Sequence, residues 1–238
     1  MKFLRIAFMR EIAAPMLALC FASAVCIVLV VARAIWRERI AYISLIWNLF
    51  LAWLPLVFAL LACHKFRQNG KQGWQFFCLS GAWFLFFPNA PYIFTDLIHL
   101  TARYYNHFWV DMVLILMCAV TGLILGFVSL YLMQAIVARA LGRFLGWVFV
   151  LVMTALGSFG IYLGRFLRFN SWDVVTKPAT VYHGLGFLSE NPDRTSAGFL
   201  ALFAAFLFIS YLMLYALTRL SPAHEIAPSS TAKGLGNA

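Results

Sequence analysis

The chain alternates long apolar runs with short polar interruptions. Six runs, 14–32, 44–63, 74–87, 108–138, 146–166 and 198–218, are candidates to cross a bilayer, and the third is unusually short. A spanning helix needs roughly 20 mostly apolar residues. Backbone amides and carbonyls inside lipid have to be satisfied within the segment, so spans of this kind are helical. The pattern predicts an all-α, polytopic membrane helix bundle of about six transmembrane helices, with a short or broken third helix followed by an interfacial helix. Residues 1–220 read as a single transmembrane helical domain with no room for a separate soluble one. Residues 221–238, rich in Pro, Ser, Ala and Gly, read as a disordered tail because they cannot bury a core.

The third run ends in Pro88-Asn89-Ala90-Pro91-Tyr92, followed by Thr95-Asp96-Leu97-Ile98-His99. If an α-helix resumes near Asn89 or Pro91, then Tyr92, Asp96, His99 and Arg103 share one face, while Ile93, Leu97, Leu100 and Tyr104 share another. This predicts a short amphipathic helix, capped by Asn89 with Pro91 in its first turn. One reading leaves its polar residues solvated at the membrane interface. The other uses the one-turn spacing of Asp96 and His99, which suits a metal pair or an oriented acid and base. Two ligands alone identify no metal, and no cofactor is implied.

A second polar cluster, Gly164-Arg165-Phe166-Leu167-Arg168-Phe169-Asn170-Ser171-Trp172-Asp173, closes the fifth run. Arg165 and Arg168 are one turn apart, and a pair of guanidinium forks suits an anionic headgroup. Snorkelling to lipid phosphates, with Trp172 in an aromatic belt, is the plainer reading. Ser171 is a candidate cap for a following turn that would begin near Asp173. Two crossings separate this cluster from the first, so both lie on the same face of the membrane in either orientation, and a joint site is permitted.

Glycines recur at small-residue packing spacings, Gly122 and Gly126 in the fourth run and Gly157, Gly160 and Gly164 in the fifth. They predict close helix approach, bringing Arg165 toward Asp111. Ordinary packing without a functional role explains the same spacing. Asp111 is also accounted for by its place in the first turn of the fourth run, next to the positive end of a helix dipole.

Composition sharpens the class: 64% of residues are hydrophobic, 11% are charged and the mean hydropathy is +0.88, far from a soluble domain. The net charge of +10 is scattered between runs and reads as lipid-facing, not as a nucleic-acid surface. His64, Lys65, Arg67 and Lys71 read as a solvated loop facing anionic lipid, and the isolated His107 and His183 as bystanders. The five cysteines, Cys20, Cys26, Cys63, Cys78 and Cys118, lack metal-like spacing and read as small core residues. No phosphate-cradling loop, dinucleotide fingerprint or serine nucleophile elbow is present.

Lys2, Arg5 and Arg10 before an apolar stretch containing Ala22-Ser23-Ala24 resemble a signal peptide. Apolar residues continue past that point, so an uncleaved anchor is expected. With the N-terminus inside, ten Lys and Arg lie on the inner side and eight on the outer, whereas six of the eight acidic residues lie outside. Both termini are therefore expected on the cytoplasmic side.

The block Trp83-Phe84-Leu85-Phe86-Phe87-Pro88-Asn89-Ala90-Pro91-Tyr92 with Thr95-Asp96-Leu97, and the later Arg168-Phe169-Asn170-Ser171-Trp172-Asp173, resemble the bacterial domain-of-unknown-function family 1361. The resemblance implies a multi-pass protein of the bacterial inner membrane and supplies no established activity or catalytic residue.

Two function classes follow. In the first, an enzyme or binding protein acts on an anionic lipid-linked substrate at the extracytoplasmic face. Arg165 and Arg168 hold the headgroup, Asp96 and His99 do acid-base or metal work, and Asn89, Tyr92, Asn170 and Asp173 bind or orient. In the second, a transporter or transporter subunit uses the interrupted third helix, although few ionisable groups lie within the other runs. A noncatalytic scaffold, with the glycines serving a helix-mediated oligomer or membrane partner, leaves the polar clusters idle.

Overall fold

The computed structural model describes residues 2–37, 43–69, 73–101, 108–171, 173–179 and 194–218. The tail beyond 218 therefore lies outside the described residues, as do Arg103, Tyr104, His107, Trp172 and His183. No strand occurs among the described residues. Chain order is α1 (Lys2–Arg37), α2 (Ile43–Asn69), α3 (Trp74–Phe86), α4 (Asn89–Tyr92), a 3-10 segment (Ile93–Thr101), α5 (Phe108–Leu141), α6 (Arg143–Phe166), α7 (Asp173–Thr176) and α8 (Arg194–Leu217). Among the described residues six stretches are long and apolar enough to cross a membrane, the third being the bent Trp74–Ile98. The chain is a multi-pass membrane protein.

α5 is the axle of the bundle. It is the most buried of the spans, from Asp111 and Leu114 to Gln134 and Ile136, and leaves one face, through Val113, Leu116, Val120 and Tyr131, on the outside of the bundle. α1, α2, α4, the 3-10 segment and α6 pack around it, α3 lies against α2, and α8 lies outside α6. Two apolar cores result. One joins α1, α2, α5 and the residues after the bend; the other joins α2, α3, α5, α6 and α8 around Trp83, Phe87 and Tyr211. α8 is tied on by polar contacts, including Ser158 Oγ donating to the Leu200 carbonyl (2.9 Å) and the Tyr211 hydroxyl donating to Gln134 Oε1.

The third span bends because Pro88 and Pro91 remove two amide donors within four residues. Phe87 keeps helical dihedrals, the Phe87 carbonyl accepts the Ala90 amide at 3.2 Å and the Pro88 carbonyl accepts the Tyr92 amide at 3.1 Å, so the chain stays hydrogen-bonded as it turns. Two rows of glycines receive this bend. A Cβ on Gly122 would lie 2.7 Å from the Ala90 carbonyl oxygen, and one on Gly126 would lie 3.0 Å from Ala90 Cβ. From α6, the corresponding distances are 3.0 Å from Gly157 to Phe87, 2.5 Å from Gly160 to Pro88 and 3.1 Å from Gly164 to Tyr92. The expected close approach is present, but the glycines hold the proline break between α5 and α6 instead of bringing Arg165 to Asp111.

Asp111 pairs with Arg33 of α1. Arg33 Nε donates to Oδ1 at 2.6 Å and a terminal guanidinium nitrogen donates to Oδ2 at 2.9 Å, with both side chains less than one-tenth exposed. A helix-dipole position accounts for neither the burial nor the bidentate partner. Arg33, near the end of α1, is thus an internal cation.

Candidate functional site

Asp96, expected on a polar face after the bend, is not solvated. The segment Ile93–Thr101 winds as a 3-10 helix, with three residues per turn, so positions 93 and 96 align. Ile93 is fully buried against α5, and Asp96 follows it inward at 6% exposure. The α-helical reading had put these two residues on different faces. A nine-residue 3-10 run is long for a geometry that seldom persists beyond 3–4 residues.

Asp96 meets two other spans. Asn48 Nδ2, from the start of α2, donates to Asp96 Oδ2 at 2.9 Å, and an Arg165 terminal nitrogen from the end of α6 stands 3.5 Å from Oδ1. Asn89 does not cap the segment; its Nδ2 reaches across to Ser171 Oγ at 2.8 Å. Ser171 thus serves the bend rather than the next turn. Asp173 heads α7 and accepts the Asn170 backbone amide at 2.7 Å, fixing the loop that follows α6. The two polar clusters, permitted by parity to meet, are in contact through Asp96 with Arg165 and Asn89 with Ser171.

Between them lies a cavity of about 870 Å³. Of the residues expected from sequence, Asn89, Tyr92, Asp96, Arg165, Arg168 and Asn170 line it. Asp173 supports Asn170 from behind, and the His99 side chain lies outside the described residues. Ser44, Trp47 and Asn48 were missed. The available signal was Asn48, an uncompensated carboxamide within an apolar run, which in a membrane span implies an internal partner.

The cavity is amphipathic along its length. Its polar groups come from the start of α2, the residues after the bend and the end of α6, all on one face of the membrane. Its other wall is Leu51, Phe84, Phe87, Met153, Leu156 and Phe159. From Met153 to Arg165 the lined part of α6 spans thirteen residues, about 18 Å of helix. Trp47, Phe84 and Leu156 are also 54%, 45% and 40% exposed, so the apolar wall runs out onto the lipid-facing surface.

Arg168 is the exposed cation of this rim. Among the described residues it has no ion-pair partner. Its backbone is left-handed, φ 56°, at the turn where the Phe169 amide donates to the Leu163 carbonyl at 3.2 Å and closes α6. Glycine is the usual occupant of such a terminus. A residue with a Cβ there costs about 1–2 kcal/mol of backbone strain. Among the described residues no group of three or more His, Cys, Asp or Glu is placed to hold a metal.

Bundle and cavity together define a six-span helical membrane protein whose interrupted third span frames a one-sided, laterally open cavity. The chain belongs to the family described as protein of unknown function (DUF1361), whose model matches residues 47–217. That segment contains every lining residue except Ser44. No curated protein and no solved structure matches the chain.

Proposed function

We propose that this protein binds an amphiphile with an anionic headgroup, drawn sideways from the bilayer, in the cavity between α2, the third-span bend and α6. The observation that carries the reading is the cavity's polarity: the exposed Arg168 and the Arg165–Asp96 pair stand at one end, and an apolar wall continuous with the lipid surface lies at the other. An acyl or prenyl chain can stay in an apolar medium while its headgroup leaves water for fixed donors. Each charge-assisted hydrogen bond contributes about 1.5–3 kcal/mol. Asp96 acts as a positioning residue, with Asn48 holding one oxygen and the other facing Arg165. Acid-base chemistry by Asp96 with His99 is the processing form of the same reading.

The site is placed on the extracytoplasmic face of a bacterial inner membrane, with both termini cytoplasmic. Of the eight cations on that face, Arg33 and Arg165 are paired inside the bundle with Asp111 and Asp96. Leaving those two out gives six against ten on the other side, which strengthens the positive-inside bias. A transporter is less favoured, because the lining stops at Met153 and Val150, the next inward residue one turn on, is fully buried in the core. The scaffold reading loses its motive, since its glycines pack against the chain's own bend.

The test is native mass spectrometry of wild type, Asp96→Ala and Arg168→Ala from lipid nanodiscs, with elemental analysis. Retention of an anionic lipid or lipid-linked species by wild type, and its loss from folded variants, is expected. Indistinguishable lipid profiles for the three proteins would refute the site.

A further inference from the structure

We infer that the headgroup recognised at this rim is a single phosphodiester bearing neutral hydroxyls, of the glycerol- or sugar-phosphate kind; this rests on the anionic-amphiphile reading above. The first argument is charge. Among the described residues lining the cavity, the formal charges are those of Asp96, Arg165 and Arg168. Asp96 and Arg165 face each other at 3.5 Å and offset, leaving the one exposed guanidinium of Arg168. One guanidinium fork matches one phosphate. A headgroup with two or more phosphates would bring more negative charge than this rim compensates.

The second argument is the type of hydrogen-bonding group. An ammonium headgroup offers only donors and needs carboxylates. The nearby carboxylates are already turned to the protein: Asp96 to Asn48 and Arg165, and Asp173 to the Asn170 amide. What the rim does present is neutral and two-sided. Ser44 and Asn170 are exposed along it, with Asn89 and Ser171 beside them. Asn89 already donates to Ser171 and Asn170 to Asp173, but their amide oxygens and second N–H groups, with the Ser44 hydroxyl, still both donate and accept, as do the hydroxyls of a polyol. The third argument is reach. Ser44 sits at the α2 start and Asn170 and Ser171 in the loop just beyond Arg168, both on the side of the membrane where the part of a headgroup distal to its phosphate would lie, while Asn89 stands at the bend beside them.

The experiment places the full chain in phosphatidylcholine nanodiscs containing an equal minor share of phosphatidylglycerol, phosphatidic acid or phosphatidylserine, and counts retained lipids by native mass spectrometry. Phosphatidylglycerol is expected to exceed each of the other two by about fivefold, the worth of one net hydrogen bond. Ser44→Ala and Asn170→Ala should erase that advantage while preserving preference for anionic lipid over phosphatidylcholine. Arg168→Ala should lower retention of all three. Equal retention of the three anionic lipids, still dependent on Arg168, would overturn the hydroxyl inference and leave the anionic-amphiphile reading standing. No preference for any anionic lipid would overturn both. Dissolved glycerol phosphate at matching concentration should leave the bound lipid in place; displacement by it would overturn the assignment to a lipid and identify a free phosphate ester as the ligand.

Discussion

Replacing Gly160 by alanine tests whether the proline break is clamped as described. The new Cβ would lie 2.5 Å from Pro88 Cγ and 2.8 Å from Pro88 Cβ. Ordinary contact begins near 3.4 Å, so the two groups must separate by about 0.9 Å. A proline ring has no rotamer to yield, so the movement falls on the backbone of the bend or on α6. Overpacking of this kind costs about 1–3 kcal/mol. Gly122→Ala belongs to the same class, because its obstacle is the Ala90 carbonyl at 2.7 Å. At Gly157 and Gly164 the nearest atoms are the ring edges of Phe87 and Tyr92 at 3.0 and 3.1 Å, which can tilt, and a smaller loss is expected. Gly81 in α3 has nothing within 4 Å, so alanine there should be neutral or stabilising by up to about 1 kcal/mol. Thermal unfolding of the five variants in nanodiscs, followed by tryptophan fluorescence, gives the order. With about 2–4 °C per kcal/mol for a chain of this size, Gly160→Ala and Gly81→Ala should be well separated. Equal midpoints for those two would refute the clamp.

Three further outcomes follow from the same geometry. Removing one partner of the buried Arg33–Asp111 pair, as in Asp111→Asn or Arg33→Ala, should cost about 3–5 kcal/mol, whereas Arg33→Met combined with Asp111→Leu should recover much of it; a double variant no more stable than the singles in thermal unfolding would contradict the pairing. Arg168→Gly should raise stability by about 1 kcal/mol by relieving the left-handed backbone while lowering anionic-lipid retention, an opposition that a merely structural arginine would not produce. Cysteine introduced at Asn170 should react with a membrane-impermeant maleimide from the extracytoplasmic side and cysteine at Gln68 should not; the reverse pattern would invert the proposed orientation.

Span number, helical class and the short third span were legible from local information alone. In lipid the backbone must satisfy itself, so a run of apolar residues determines its own secondary structure, and the Pro88 and Pro91 pair marks its own bend. Parity of crossings likewise puts the Asp96 and Arg168 clusters on one face from the sequence alone. Partner choice was another matter. Asp111 looked like a helix-start acid, and only the approach of α1 to α5 pairs it with Arg33. The glycines announced close packing but not its object, because the same small-residue spacing fits a neighbouring helix, a second chain or, as here, an inserted proline bend. Asp96 shows the difference most sharply. Assigning it to a solvated face assumed α-helical periodicity, and the 3-10 winding imposed by packing against α5 turns it inward beside Ile93, where Asn48 and Arg165 meet it. Sequence period reports the face of a residue only once the helix type is known, and in this segment the helix type is decided by tertiary contact.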